Sequence, residues 1–429
     1  MSQRHLSALP RLWSLSTFRA FWLASTLSNL GTSAYVMAMS WLTVRLYGSH
    51  GIALLALGYG IPQLLLELFG GAAADRTARR KLYMATESAL FLVAAVLWLV
   101  SIKGVVPLWL LVAVSACNGV ISAFDTPART ALIGEMVCSE DLVVAQQVFS
   151  VSSQITAVFG PALGGVLLSI GGRGHANEEW AFLFNVASYL PIILCFPFLP
   201  RVPSVDRALR QRLQVGDVLV GIRQGLVYVA SRHVLVVLMQ LLAVVMLLGL
   251  PFQALLPIFV HDSAPLGSDH TAYAALLSAV GFGGLVGSLV GVASTEQRPR
   301  FIALALASLG LGCSLLLLTF SRVIYWSSLS AFLAGAFSVF AINLDMALLQ
   351  GLTVPQMQGR VSSIASLGKG LQSLIAAAAS EAIGLLSHSP LRSSAFALVQ
   401  GGLALALIVI SLCLWGGLSR LSQPKVLSG

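Results

Sequence analysis

Charge is what this sequence lacks. Only 10% of its 429 residues are Asp, Glu, Lys or Arg, against 57% hydrophobic, and the mean hydropathy is +0.88. So few ionic groups cannot cover a water-facing surface of this size, which excludes a soluble globular protein. The five cysteines, at 117, 138, 195, 313 and 413, show no CxxC or metal-ligand spacing and read as packing residues, so neither a disulfide framework nor a metal site is expected. A phosphate-binding loop is also missing: Leu367-Gly368-Lys369-Gly370 lacks the upstream Gly and the following Ser or Thr, which excludes ATP drive within this chain. Gly281-Phe-Gly283-Gly-Leu-Val-Gly287 is a poor dinucleotide fingerprint, because it sits inside an apolar run with no strand before it. No nucleophile or metal cluster converges, so neither an enzyme nor a resident cofactor is expected. The net charge of +9 is dispersed over short links, which argues against nucleic acid as a partner.

What is present is a succession of apolar runs, each near the roughly 20 residues that a helix needs to cross a bilayer. The hydropathy rhythm predicts helices at 18–44, 52–73, 82–100, 105–123, 142–169, 180–199, 234–260, 272–294, 301–320, 324–348, 361–383 and 395–415. The first run is too long for the apolar region of a cleaved signal peptide and is expected to stay as a helix. Twelve crossings put both termini on one face. On that face fall nineteen of the 25 basic residues, while the other holds only Arg45, Lys103, Arg173, Arg322 and Arg392, so the termini are expected in the cytoplasm. The chain therefore divides into a terminal segment 1–17, a bundle 18–199, a linker 200–233, a bundle 234–415 and a tail 416–429. In the linker, Val218, Leu219, Ile222, Leu226 and Val229 share one helical face. Two readings stand: a helix lying on the inner membrane surface, or an ordinary solvated link.

Shifting the chain by 220 residues aligns Gly71 with Gly291, Asp125 with Asp345, Leu132 with Leu352 and Gly164 with Gly384, and the predicted spans coincide. This is the pattern of two parallel six-helix halves with a substrate site between them. Small residues recur every four positions at Ser152, Thr156, Gly160 and Gly164, and again at Gly283, Gly287 and Gly291. Such stripes let helices approach closely; they serve either the junction between halves or packing inside each half.

Gly71-Ala-Ala-Ala-Asp75-Arg76-Thr-Ala-Arg79-Arg80-Lys81, between the second and third predicted helices, resembles the loop signature of the major facilitator superfamily, G-x-x-x-D-R-x-x-R-[RK]. The family's further Gly is Ala78 here, and the second-half copy, from Gly291 through Glu296 to Arg300, is degraded. Phe159-Gly160-Pro161-Ala-Leu-Gly164-Gly165 is similar to the G-P-x-x-G-G motif of drug exporters in that superfamily, although a plain structural kink explains it equally. Asp125-Thr-Pro127-Ala-Arg129 and Gln350 through Val361 resemble the branch that includes enterobactin-type siderophore exporters and macrolide efflux pumps. The resemblance spans roughly residues 18 to 415. It implies an all-α membrane protein of twelve transmembrane helices in two pseudo-symmetric six-helix bundles, a monomer in the bacterial inner membrane. It also implies proton-driven export of a medium-sized organic molecule, with Gly71, Asp75, Arg76, Arg79 and Arg80 as a gate loop. An uptake symporter on the same fold remains the alternative.

Ionisable groups inside a membrane are expensive and mark function by default. They are Glu67, Glu87, Asp345, Lys369 and Glu381, with Asp125 and Arg129 expected at an inner helix end. Glu67 and Lys369 lie at similar depths, about 12 and about 13 Å from the inner surface at 1.5 Å per residue. In the fold resembled, their helices face each other across the halves, so they are expected to interact and to carry the proton coupling. Asp125, Arg129 and Asp345 are expected to pair with the Asp75 loop. Asn29, Asn118, Gln240, Gln253 and Asn343, with Tyr35 and Trp41, are expected to line the substrate cavity.

Overall fold

The computed structural model describes residues 10–104, 106–138, 140–170, 177–199, 215–262, 269–291, 297–387 and 394–421. For residues 68, 71–76, 215–219, 221–222, 291, 297–300, 355 and 415–421 it describes the backbone alone. Among the described residues all regular structure is helical. Lipid offers no hydrogen bonds, so each apolar run has to satisfy its peptide groups within itself, and a helix does this. In chain order the elements are α1 (Ser16–Arg76), α2 (Arg79–Ser101), α3 (Leu108–Met136), α4 (Leu142–Ser169), α5 (Glu178–Cys195), α6 (Val215–Ala230), α7 (His233–Val244), α8 (Phe252–Asp262), α9 (His270–Gly291), α10 (Gln297–Phe320), α11 (Ile324–Leu352), α12 (Pro355–Ser387) and α13 (Ala395–Leu421). By length and composition there are eleven candidate membrane spans among them, with α7 and α8 together making one.

The structure corrects several predicted boundaries. Two helices with a seven-residue link were expected between 18 and 73; instead the 61-residue α1 has a single break at Gly48 (φ 62°, ψ −155°). The fold-back there is tight, since a Cβ on Gly51 would touch Tyr47 and Thr43. Only glycine adopts this backbone region without strain, so Gly48→Val is expected to cost about 1–3 kcal/mol and to lower the thermal midpoint of the purified protein. The fourth predicted helix runs on through Pro127 to Met136, because the proline is accommodated. Pro127 gives the Ala123 carbonyl no N–H, and α1 presses Gly70 against that carbonyl, where any Cβ would collide. The predicted helix 234–260 is interrupted by a wide π turn, Val245–Gly249, followed by Pro251. The linker does form a helix, α6, which seats Gly225 against Arg360 and Ile364 of α12 and buries Val229. Leu226, expected on the same face, is exposed, and the side chains of Val218, Leu219 and Ile222 lie outside the described residues.

Helices before residue 200 pack largely on one another, as do those after 232. Two helix pairs make most of the junction between the halves: the second arm of α1, residues 49–76, lies along α12, and α4 lies along α9.

Candidate functional site

Each of these pairs meets through glycine, which lets backbones touch. On one side, a Cβ at Gly370 of α12 would meet the Leu64 backbone of α1, and one at Gly60 would meet Ser373. On the other, a Cβ at Gly281 of α9 would strike the backbone of Ala157 and Val158 in α4, Gly165 meets Ala274, and Gly284 meets Val339 and Gln154. The four-residue stripes do something else. Gly160 and Gly164 face Ser33, Ala34 and Met37 of α1, while Gly283 and Gly287 face Phe332 and Ala336 of α11. Ser152 accepts from the Trp22 indole at 2.6 Å. The stripes thus pack inside their own halves, a correction to the reading that put them between halves. Pro161 is buried within α4 beside them.

The end of the molecule at Gly48 is pinned shut across the halves. His50 Nδ1 lies 2.9 Å from the Glu381 carboxylate, and Ser169 Oγ lies 3.0 Å from His270 Nε2. Trp41, buried, stacks on Tyr273 at 6.0 Å and meets the rings of His261 and His270 edge-on. At the opposite end the ion pairs Arg11–Asp141, at 2.8 Å, and Arg79–Glu135, at 3.6 Å, stay within the first half. Arg79 also donates to the Ala131 carbonyl, and Arg80 donates to the Phe196 carbonyl and lies 4.2 Å above its ring. Gly71, Asp75 and Arg76 lie outside the described side chains.

Between these ends stand the polar groups expected in a cavity. Gln240, Gln253, Asn343 and Lys369 are exposed although their helices are apolar, and the α7–α8 break at residues 245–251 separates the two glutamines. Asn29 and Asn118 are half-buried and tied into the first half: Arg129 donates to Asn29 Oδ1 at 3.4 Å, and Asn118 donates to the Tyr35 hydroxyl at 3.2 Å. Tyr35 is itself buried against Phe182, and Trp41 belongs to the closed end, so neither ring faces an open cavity as expected. Tyr35 follows the packing of the first half, where its ring is buried against Phe182, and Trp41 packs across the halves on Tyr273.

Glu67 lies beside Ser366 of α12 and in the field of Lys369 one turn further along, and its Oε2 is buried without a hydrogen-bond partner among the described residues. The two charged ends are not among the ion pairs within 4 Å that the described residues form, so their interaction is electrostatic at longer range. Asp345 is 1% exposed and neither of its oxygens has a partner among the described residues, which corrects its expected place beside the gate loop. Asp125 and Arg129 are likewise inside α3 and not past its end, with Asp125 accepting from Thr86 at 2.8 Å. Sequence reasoning gave no role to Glu87 or to the histidines of the closed end. The signal for Glu87 was there in the paired four-residue spacings Tyr83–Glu87 and Asp125–Arg129. Among the described residues no group of three or more His, Cys, Asp or Glu side chains could hold a metal ion.

Residues 10–417 match a family model described as transmembrane secretion effector. Among curated relatives, the staphyloferrin A transporter of Staphylococcus aureus is 23% identical over 317 residues, 72% of this chain and 75% of that one. Macrolide efflux protein A of Streptococcus pyogenes is 23% identical over 87% of this chain and 91% of its own. The multidrug efflux pump Tap of Mycolicibacterium fortuitum is 27% identical over 69% and 72%. Among solved structures, the D-xylose–proton symporter superposes with a TM-score of 0.67 at 14% identity, covering 93% of this chain and 98% of that one. The nucleoside transporter NupG gives 0.68 at 10% identity over 94% and 99%.

Proposed function

We propose that this chain, which belongs to the transmembrane secretion effector family of major facilitator transporters, is a proton-coupled exporter of a medium-sized organic molecule, either a siderophore or a drug-like compound. It is a transporter and not an enzyme. The observation that carries the reading is the contrast along the junction: the halves are pressed together at the Gly48 end while Gln240, Gln253, Asn343 and Lys369 stand exposed midway along apolar helices. Polar groups at that depth are costly unless they line a wet cavity. The export branch is favoured by relatives whose names record siderophore transport, macrolide efflux and multidrug efflux.

In this reading α1 crosses twice, so the eleven candidate spans make twelve crossings, in two six-helix bundles divided at residues 200–233. The Lys and Arg distribution supports both termini on the cytoplasmic side, and the bacterial relatives support an inner membrane. The Gly48 end then faces outward, and the structure is an outward-closed state of an alternating-access cycle worked by a monomer. Glu67 with Lys369 couples the proton at the junction, and Asp345 is the second carboxyl available to carry one. Arg79 and Arg80, with Gly71, Asp75 and Arg76, brace the inner end.

Inverted vesicles test the reading. With the lumen acidified, a labelled macrolide or iron-chelating siderophore is expected to accumulate inside, and a protonophore is expected to abolish the accumulation. Gradient-driven loss of substrate from the lumen would instead establish uptake.

A further inference from the structure

Two carboxyls lie close together in the first half, Glu87 buried and Asp125 half-buried, and neither belongs to the junction. Glu87 of α2 is 4% exposed and accepts from Ser28 of α1 at 3.3 Å, with Tyr83 one turn away. Asp125 of α3 lies within its electrostatic reach, as does, among the described residues, a single guanidinium, that of Arg129. Two carboxylates and one guanidinium leave an uncompensated negative charge in the middle of a helix bundle, and one added proton removes it.

The hydroxyl of Thr86 provides for both states. Its oxygen lies 2.8 Å from the Tyr83 carbonyl and 2.8 Å from Asp125 Oδ1, yet it has one hydrogen. When Asp125 is ionised, Thr86 donates to it. When Asp125 carries the proton, Asp125 donates to Thr86, whose own hydrogen turns to the Tyr83 carbonyl. Both arrangements are complete without moving a heavy atom.

We infer that Glu87 and Asp125 form a proton-binding pair that holds one proton between them, and that Arg129 relays its state to the substrate path through Asn29. With both carboxyls ionised, Arg129 is drawn to them; with one neutralised, it is free for its 3.4 Å bond to Asn29. The other groups facing the pair are Tyr83 from α2, Tyr189 from α5 and Tyr59 from the second arm of α1. Tyr59 lies within electrostatic reach of both Asp125 and Glu67, so it links the pair to the junction of the halves. The second half has no counterpart: the 220-residue shift carries Tyr83, Glu87 and Arg129 onto Ala303, Ala307 and Leu349, leaving Asp345 alone.

The inference rests on the proton-coupled reading above, but its test does not need transport. Infrared difference spectra of the purified full chain, in a Glu67→Gln, Asp345→Asn background, are recorded as pH is stepped with no gradient and no substrate. One carboxylic-acid carbonyl band is expected to disappear as pH rises, and to be lost in both Glu87→Gln and Asp125→Asn. Glu87→Asp, which keeps a titrating group, is expected to shift the band and restore it if the glutamine variant folds poorly. A band of unchanged position and size in all three variants would overturn the pair. A titrating band in a protein that moves no substrate would overturn the exporter reading and leave the pair standing.

Discussion

Gly281→Leu is expected to abolish export while leaving the protein inserted and folded. A Cβ at this position meets the backbone atoms of Ala157 and Val158, which cannot rotate aside as a side chain would. The α4–α9 contact has to open, and overpacking of this kind costs about 1–3 kcal/mol. Because that contact joins the halves, the cost falls on the state closed at the Gly48 end and shifts its population by roughly five- to hundredfold. Spin labels at Leu46 and Leu385, both exposed at that end, are expected to move apart in the variant. Gly402→Leu, where a Cβ meets nothing within 4 Å, serves as the control and is expected to transport normally. Wild-type export with an unchanged label distance in Gly281→Leu would show that the contact plays no part in the cycle.

Glu67→Gln is expected to uncouple transport from the proton gradient. The substitution keeps the shape but removes the charge that faces Lys369. Uphill export in proteoliposomes should fall at least tenfold, roughly the effect of 1.4 kcal/mol, while downhill exchange of substrate continues. Lys369→Met is expected to do the same, and the double variant to be no worse than either single one, since both remove one interaction. Export through Glu67→Gln with its proton requirement intact would remove Glu67 from the mechanism and leave the Glu87–Asp125 pair and Asp345 as the remaining carriers.

The spans were legible because apolar run length is a local property that lipid enforces directly. The loop signature was legible for a similar reason, since its spacing depends on one turn. The reading stumbled where rotation about a helix axis decides the outcome. Gly160 and Gly281 look alike in a string of letters, yet one packs inside its half and the other between halves. Asp125 was misplaced because Pro127 suggested an end to a helix, when the glycine at 70 had made room for the unpaired carbonyl it leaves. Tyr35 was placed in the cavity by its depth, but its ring turns toward Phe182.

The order of letters alone therefore determined that this chain lives in lipid and which few ionisable groups have to be explained. Tertiary structure decided which of those groups meet: Glu87 with Asp125, Glu67 with the Ser366–Lys369 turn, and Asp345 with no partner among the described residues. The division follows from physics, because transfer from water depends on composition summed along a run. Pairing between charges depends on the angle at which one helix faces another, and that angle is set by every contact at once.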